Sequence, residues 1–334
     1  MTKLKSIVLT FHDVYLTDPL LPRELGISIS VQRFAQTLSD IAALGYRFVD
    51  FDTFVADRGR GGLALLTLDD ALLSAIEHAL PILVERGIPA VIFIITQSLT
   101  CVGDPFPTWF HRLQHCRSHA HAFAGHPLFR EALDATGYTT LDELLTAPNG
   151  AAEQRLAGCL SDQQLAALAA VVADHPAFGR VTATRAQLPD TPLVSFGAHS
   201  HSHRSFAHIA AADVKQEVVR SLAEIASLTG RAATTLPFCF PYGAVTFQSR
   251  ANVARHAAAG FTCSERPVSR LDHRAALPRF NADEHLLAKL VAANNARRHL
   301  SRLKEGLRLI AGVANSARRR PRPATVFADK KGQE

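Results

Sequence analysis

The feature that most constrains the fold is an apolar run at residues 65–68 that ends at two adjacent carboxylates, Asp69 and Asp70. An uninterrupted apolar run is typical of a buried parallel strand, and polar residues directly after such a strand lie at its carboxyl end, where α/β folds place their chemistry. Two like charges this close repel each other unless a metal ion or a shared proton compensates them. Alternatively, Asp70 could simply cap a helix that begins near Ala71.

Strand-like and helix-like patterns alternate along most of the chain. Short apolar runs are separated by amphipathic stretches, the first of which begins at the capping residue Ser30 and ends at Gly45. A later stretch has Asp213 and Gln216 in the spacing of a capping box. Counting gives about seven strands in βα order. The sequence therefore predicts an α/β fold, namely a distorted (β/α) barrel of about seven strands, which can be incomplete.

Residues 97–190 interrupt the alternation, because they are richer in proline, glycine and polar residues. We predict a barrel over residues 1–282 with a helical insertion at 97–190, an amphipathic helix at 283–316 and a basic, disordered tail at 317–334. The net charge of +6 belongs to this end, since residues 297–334 hold eleven Lys or Arg against three acids, which gives +8 and leaves −2 for residues 1–296. No nucleic-acid partner is therefore expected.

The predicted C-terminal helix sets an apolar stripe beside a basic face. In one interpretation the apolar stripe packs on the barrel and the arginines of the basic face are in solvent. In the other, the basic face holds the protein at an anionic inner membrane surface. No apolar run reaches the roughly 18 to 20 residues of a membrane span, and the N-terminal run is too short for a signal peptide. The five cysteines form no C-x-x-C pair, which favours reduced thiols. We therefore expect a cytoplasmic protein, with peripheral membrane binding as the open question.

Three histidines, His199, His201 and His203, follow another predicted strand within five residues. A helical turn would bring the two outer imidazoles to one face, whereas an extended segment would align all three, and the spacing does not decide between them. With an aspartate and open positions for water, two histidines form a donor set typical of a catalytic metal. Four more histidines and a cysteine lie between residues 111 and 121. There we favour solvent-facing histidines on an amphipathic helix over a second metal site.

Together these motifs resemble the polysaccharide deacetylases of the NodB-like group, carbohydrate esterase family 4. The order and spacing of the motifs carry the resemblance more than any one of them. The matching stretches are TLDD at 67–70 for T-F-D-D, HSHSH at 199–203 for H-[S/T]-x-x-H, FCFPYG at 238–243 for the motif ending in P-Y-G, and FHDV at 11–14 for the Y-H-x-V start of members with a permuted motif order.

The resemblance implies a metal-dependent hydrolase that removes N-acetyl groups from an amino sugar. By position in the motifs, Asp70, His199 and His203 would bind a divalent ion, usually Zn²⁺. Asp69 would be the general base, and His12 would protonate the leaving amine.

Further roles follow from the same resemblance. The backbone N–H of Tyr242, beside Pro241, would stabilise the oxyanion. Cys239 stands where many members have an arginine that orients the base, and Arg279 is a candidate to replace that arginine.

Two functions from different classes remain open. The first is an N-deacetylase acting on an N-acetylated sugar in a surface-polysaccharide or glycolipid intermediate, since a cytoplasmic protein would not meet a finished wall polymer. The second is a non-catalytic carbohydrate- or metal-binding barrel in which the change at Cys239 has removed activity. The enzyme is favoured because Asp69, which is useful mainly for catalysis, is retained beside Asp70.

Overall fold

The computed structural model describes residues 4–147, 151–283 and 285–293. The strands of this part of the chain are β1 Ile7–Phe11, β2 Asp13–Tyr15, β3 Ser28–Ser30, β4 Arg47–Phe48, β5 Leu63–Leu68, β6 Ala90–Ile94, β7 Val194–Ala198, β8 Pro237–Cys239, β9 Ala259–Phe261 and β10 Phe280–Asn281. The α-helices are α1 Val31–Ala43, α2 Phe51–Asp57, α3 Leu80–Glu85, α4 Thr108–His115, α5 Arg117–Ala120, α6 Pro127–Thr136, α7 Leu141–Thr146, α8 Ala151–Cys159, α9 Asp162–Ala173, α10 Ala211–Thr229 and α11 Phe247–His256.

The main sheet is parallel and runs in the order β10-β1-β5-β6-β7-β8-β9, with β4 as a side branch on β5. Its two edges approach each other at one short segment, where Leu277 bridges to Phe261 in β9 and Phe280 pairs with Leu9 in β1. Because only these few backbone pairs join the edges, the barrel is irregular and incomplete. The predicted fold class and the predicted number of strands on the main path are confirmed.

β5 runs through the middle of this sheet and is buried over its whole length. Leu63 and Leu65 belong to the core inside the barrel, and Thr67 donates a hydrogen bond to the carbonyl of Leu9 at 2.9 Å. Since side chains alternate between the two faces of a strand, Asp69 continues this inward row just above the core.

Helices α4 to α9 lie between β6 and β7 in the sequence and have a hydrophobic core of their own. It includes Trp109, Phe110, Phe129, Leu156 and Leu168, all of them buried. The rings of Trp109 and Phe110 meet edge to face with centroids 6.0 Å apart. These helices therefore pack around a core of their own, distinct from the core inside the barrel.

Two of the predicted helix starts were tested by the structure. Ser30 caps α1 as predicted, since its side chain accepts a hydrogen bond from the N–H of Arg33. The predicted capping box at Asp213 is wrong, because α10 begins earlier, after Ala210, which has no side-chain acceptor. Asp213 instead lies in the first turn, where a carboxylate is favourable to the helix dipole.

The chain divides into two units. The first includes Lys3–Ala288 and contains all the strands of the residues that the structure describes, and the second includes Lys289–Glu334. Residues 286–293 are helical. Most of the helix predicted at 283–316 and all of the tail predicted at 317–334 lie outside the described residues, so the basic face and its membrane role stay predictions. No helix in the described ranges is both long enough and apolar enough to cross a bilayer.

Candidate active site

The residues predicted for the site converge at the carboxyl end of the parallel sheet. His12 follows β1, Asp69 and Asp70 follow β5, and His199 follows β7. These strands lie near one another in the sheet order, so their ends meet at one edge. Tyr242 reaches the same place from the turn after β8.

Backbone strain is concentrated in this region. Outside glycine, the left-handed region is unfavourable and is associated with functional sites. Among the described residues, those with positive φ other than glycine are Asp70 (66°), Ala71 (51°), Ser200 (60°), His203 (58°) and Tyr242 (57°). All of them lie in the three motifs at the ends of β5, β7 and β8 or, as Ala71 does, directly after one.

Asp69 is held by a two-pronged ion pair with Arg279. Nη1 of Arg279 lies 2.7 Å from Oδ1 and Nη2 lies 2.8 Å from Oδ2. The arginine is itself fixed, because Nη1 also donates to Thr67 Oγ1 at 3.1 Å and Nε donates to the carbonyl of Thr262 at 3.2 Å. Burial by itself would raise the pKa of Asp69, but Arg279 and the nearby His199 outweigh it and hold that pKa well below its ordinary value. Asp69 is therefore a charged carboxylate in a fixed orientation.

Cys239 and His12 contact the same oxygen of Asp69. The Cys239 thiol donates to Oδ2 at 3.5 Å, and burial raises the pKa of this thiol, which keeps its proton in place. His12 Nε2 lies 3.7 Å from Oδ2, and burial lowers the pKa of His12 to about 4. The Asp69 carboxylate is thus contacted by Arg279, Cys239 and His12, although Cys239 is not an arginine.

Asp70 faces His199 and His203. Its Oδ1 lies 3.5 Å from the Nε2 atom of each histidine, and the two Nε2 atoms are 3.2 Å apart. Within the described ranges, these three residues form a buried group whose ligand atoms lie within 4.8 Å of one another. Asp70 does not cap a helix, because the chain is left-handed at residues 70 and 71 and helical structure begins only at Leu73, and Asp70 Oδ1 has no hydrogen-bond partner.

This donor set fits a divalent metal ion. Asp70 Oδ1 is buried without a hydrogen-bond partner, and burial together with the charge of Asp69 raises the pKa of Asp70 to about 8. Burial also lowers the pKa of His199 and of His203, so both imidazoles are neutral. Nδ1 of His199 lies 3.0 Å from the carbonyl of Cys239, which places a proton on Nδ1 and leaves Nε2 free as a ligand.

A second group of possible ligands consists of Asp69, His199 and Cys239. It shares His199 with the first group, and His199 has one free nitrogen. Both oxygens of Asp69 are already engaged by Arg279. The first group is therefore the better metal site.

The loop at residues 199–203 is neither a helical turn nor an extended segment, so both alternatives drawn from the spacing are wrong. The left-handed residues Ser200 and His203 bend it so that the outer histidines face Asp70. His201 points away, with Nδ1 at 3.1 Å from Thr96 Oγ1 and 3.2 Å from Glu224 Oε2. His201 is therefore not in the ligand group.

A buried glutamate, Glu217 of α10, holds the back of this loop. Its Oε2 accepts hydrogen bonds from the N–H groups of His201 and Ser202 at 2.9 and 3.0 Å, and its Oε1 accepts from Ser202 Oγ at 2.7 Å. Partners of this kind orient metal ligands from outside the ligand shell. Glu217 carries no signal in the sequence, because it lies next to the apolar positions of α10 and belongs to no motif.

The turn Pro241–Gly243 brings Tyr242 against the ligand group. The Tyr242 ring packs edge to face on the His203 ring, with centroids 4.8 Å apart. Gly243 has φ of +66°, and a Cβ there would lie 2.6 Å from the backbone nitrogen of Cys263. Only glycine fits this position without movement of the neighbouring strand end, which explains the last residue of the P-Y-G motif physically.

Two further residues near the site come from the helical region. Glu153 of α8 accepts a hydrogen bond from the Tyr242 hydroxyl, and its other oxygen lies 2.9 Å from His111 Nε2. The expectation that the histidines of residues 111–121 face solvent is wrong for His111, which is buried against Glu153.

A cavity of about 240 Å³ opens beside the contact between Glu153 and Tyr242. It is lined by Glu153, Gln154, Ala157, His203, Arg204, Ser205, His208, Ile209 and Tyr242.

Comparisons with known proteins identify a family and a group of solved structures that this chain resembles. The family model described as polysaccharide deacetylase matches residues 135–262. The resemblance to polysaccharide deacetylases is confirmed. The matched stretch contains His199, His203 and Tyr242, begins after Asp69 and ends before Arg279. The match tests no single residue, so the roles of all these residues and of the N-terminal motif with His12 stay predictions. No curated protein sequence matches the chain.

Solved structures of deacetylases share the fold. The Streptococcus pyogenes deacetylase PplD in complex with acetate is 15% identical, with a TM-score of 0.51 over 87% of this chain and 99% of the other. IcaB from Ammonifex degensii is 18% identical, with a TM-score of 0.51 over 87% and 98%. A de-N-acetylase from Aggregatibacter actinomycetemcomitans is 13% identical, with a TM-score of 0.51 over 85% and 99%. At these identities the likeness establishes the barrel and not the substrate.

Proposed function

We propose that this protein is a metal-dependent N-deacetylase that hydrolyses the acetamide group of an N-acetylated amino sugar. The observation that carries the proposal is the juxtaposition of a charged, fixed carboxylate, Asp69, with the open ligand group of Asp70, His199 and His203. A barrel that only binds sugar or metal has no need for a base held in this way. The Arg279 contact therefore weighs against the non-catalytic alternative that Cys239 suggested.

The ligand group would hold the divalent ion, for which zinc is the expected metal. When bound, such an ion lowers the pKa of water toward about 7 and polarises the acetyl carbonyl. Asp69 accepts the proton of the attacking water, and Arg279 keeps the carboxylate ionised and oriented until that proton arrives.

His12 is proposed to deliver a proton to the leaving amine. Its Nε2 lies 3.7 Å from the Asp69 oxygen, close enough for a proton taken up at Asp69 to reach it as the groups move. With a pKa of about 4, a protonated His12 would be a strong acid and would give its proton readily to the departing nitrogen. The backbone N–H of Tyr242 is the proposed donor to the oxyanion, in a turn that Pro241 begins.

The substrate class is proposed to be an N-acetylated sugar in an intermediate of surface-polysaccharide or glycolipid assembly, handled on the cytoplasmic side. Support for deacetylation comes from the family match and from the shared fold of the deacetylases compared above. Acetate, which is bound in the Streptococcus pyogenes structure, is also the product that hydrolysis of an acetamide releases.

The test is release of acetate by the full chain from N-acetylglucosamine oligomers, N-acetylated sugar nucleotides and lipid-linked N-acetylated sugars. Each substrate is offered to metal-loaded protein, to protein treated with a chelator, and to chelated protein after zinc is restored. We expect release that is lost on chelation and regained with zinc. Sugar binding without acetate release from any of these substrates would favour the non-catalytic barrel.

A further inference from the structure

Helix α8 brings a carboxylate to the wall of the candidate active site. Glu153 is bound through one oxygen to the Tyr242 hydroxyl and through the other to His111 Nε2. Its side chain is 13% exposed. Because the Tyr242 ring packs on His203, Glu153 lies one side chain away from a proposed metal ligand.

The charge of Glu153 stands out in the cavity beside the ligand group. Of the described residues that line this cavity, Glu153 is the only acid. The one arginine of the lining, Arg204, is directed elsewhere, since its Nε lies 2.9 Å from Asp162 Oδ1 and its Nη2 donates to the carbonyl of Leu160. A substrate in this cavity therefore meets a negative charge that no lining arginine cancels.

Glu153 is also oriented for binding. His111 is buried, and its Nε2 holds one oxygen of the Glu153 carboxylate at 2.9 Å. An ionised carboxylate has about four acceptor positions, so the two contacts present leave room for a donor from a ligand. An acceptor held in place by the protein binds a donor with less loss of side-chain entropy.

We propose that Glu153 is a substrate-binding residue that sets specificity. It accepts a hydrogen bond from a donor of the sugar that adjoins the reacting N-acetylated residue, and it disfavours an anionic substituent there. The reason is that a charge in a partly desolvated cavity acts more strongly than in water, attracting ammonium and hydroxyl groups and repelling carboxylates. This proposal rests on the proposed deacetylase function and adds a preference that the shared fold does not supply.

The test uses three oligosaccharides with the same reacting N-acetylglucosamine and a different neighbour. The neighbour is N-acetylglucosamine, which is neutral, glucosamine, which carries an ammonium group, or N-acetylmuramic acid, which carries a carboxylate. In the unaltered protein we expect kcat/KM for the ammonium neighbour to equal or exceed that for the neutral neighbour, and kcat/KM for the carboxylate neighbour to be the lowest of the three. A highest rate with ammonium identifies charge attraction as the main source of selection, and equal rates for ammonium and neutral neighbours identify the hydroxyl hydrogen bond.

Glu153→Gln keeps the shape and removes the charge. We compare kcat/KM for the ammonium substrate with kcat/KM for the carboxylate substrate. Glu153→Gln should lower the ratio of these two values by a factor on the order of ten, and most of the change should be in KM. Glu153→Asp should retain much of the ratio. The matched control is Glu131→Gln, which removes the same charge from an exposed position on α6 of the same helical region and should leave the ratio unchanged.

Binding of the same oligosaccharides to the metal-loaded Asp69→Asn chain, with and without Glu153→Gln, separates this proposal from the proposed function. Acetate release with a ratio that Glu153→Gln does not alter overturns the role of Glu153 and leaves the deacetylase. Binding that Glu153 makes charge-selective, without acetate release by the unaltered protein, supports the role of Glu153 and removes the deacetylase. Binding that is absent, or equal for all three sugars, overturns the role of Glu153. A lower melting temperature of Glu153→Gln with equal loss on every substrate would show that the residue is merely structural.

Discussion

The candidate site has two halves, one around Asp69 and one around Asp70. They differ in how many hydrogen-bond partners the protein supplies to each carboxylate. In the Asp69 half, both carboxylate oxygens are bonded to Arg279 and one also meets the Cys239 thiol. In the Asp70 half, Oδ1 has no hydrogen-bond partner and faces two neutral imidazoles. The protein alone orients the proposed base, whereas the proposed ligand group is left open for an ion.

The difference follows from the backbone. Asp69 continues the inward row of β5, which carries it over the buried arginine. Asp70 has φ of 66°, so the chain leaves the strand direction there and turns this carboxylate toward the histidine loop. The two environments move the pKa values in opposite directions, well down for Asp69 and up to about 8 for Asp70. Neighbouring carboxylates whose pKa values separate in this way are typical of a division of chemical roles.

The largest expected effect comes from removing a ligand in the Asp70 half. Replacing Asp70, His199 or His203 by Ala should lower bound metal well below one ion per chain and abolish acetate release, because the remaining two donors form an incomplete shell. Metal analysis of the purified proteins measures this. His201→Ala is the matched control and should stay nearly fully loaded, since His201 faces Thr96 and Glu224. Metal lost from the His201 variant and kept by the His203 variant would reverse the assignment.

In the Asp69 half, the expected effect is on stability as well as on rate. Arg279→Met should lower the free energy of unfolding by about 3 to 5 kcal/mol, because it leaves the buried charge of Asp69 uncompensated. Adding Asp69→Asn removes that charge and should recover part of the loss, which urea unfolding of both single variants and the double variant would measure. The control is Arg231→Met, whose ion pair with Asp52 is exposed and should contribute only about 0 to 1 kcal/mol. A double variant with no recovery would show that Arg279 stabilises the barrel independently of Asp69.

A smaller effect, confined to turnover, is expected when Asp69 alone loses its charge. Asp69→Asn keeps the shape of the side chain, so metal content should persist while kcat falls by about 10²-fold or more. His12→Ala should also lower kcat with its metal retained, because the leaving amine loses its proton donor. Unchanged turnover in the His12 variant would mean that another group supplies the proton. Loss of metal from Asp69→Asn would mean that Asp69 also contributes to metal binding.

The sequence predicted the parts of the site that depend on local pattern. The apolar run of β5 indicates a buried strand, and its end necessarily presents Asp69 and Asp70 at the edge of the sheet. The direction in which His201 points was not predictable, because it depends on left-handed backbone angles at Ser200 and His203 that leave no periodic signal. Glu153 was also not predicted. It reaches the site through the packing of the helical region, and such tertiary packing cannot be inferred from the spacing of residues close in sequence.

The smallest expected effect concerns Glu217, which lies outside both halves and holds the histidine loop of the Asp70 half. Glu217→Gln keeps the size of the side chain but turns one acceptor into an NH₂ group, which cannot accept from all of the donors on His201 and Ser202. The loop should relax, and metal affinity should fall by about 10- to 100-fold, as is usual when a supporting partner of a metal site is removed. Competition with a zinc chelator measures the affinity. Glu217→Asp tests whether a negative charge alone is enough. We expect this variant to bind metal weakly as well, because the shorter side chain does not reach the N–H groups of the loop. An unaltered affinity in the Gln variant would show that the left-handed turns at Ser200 and His203, without the glutamate, are enough to direct both imidazoles to Asp70.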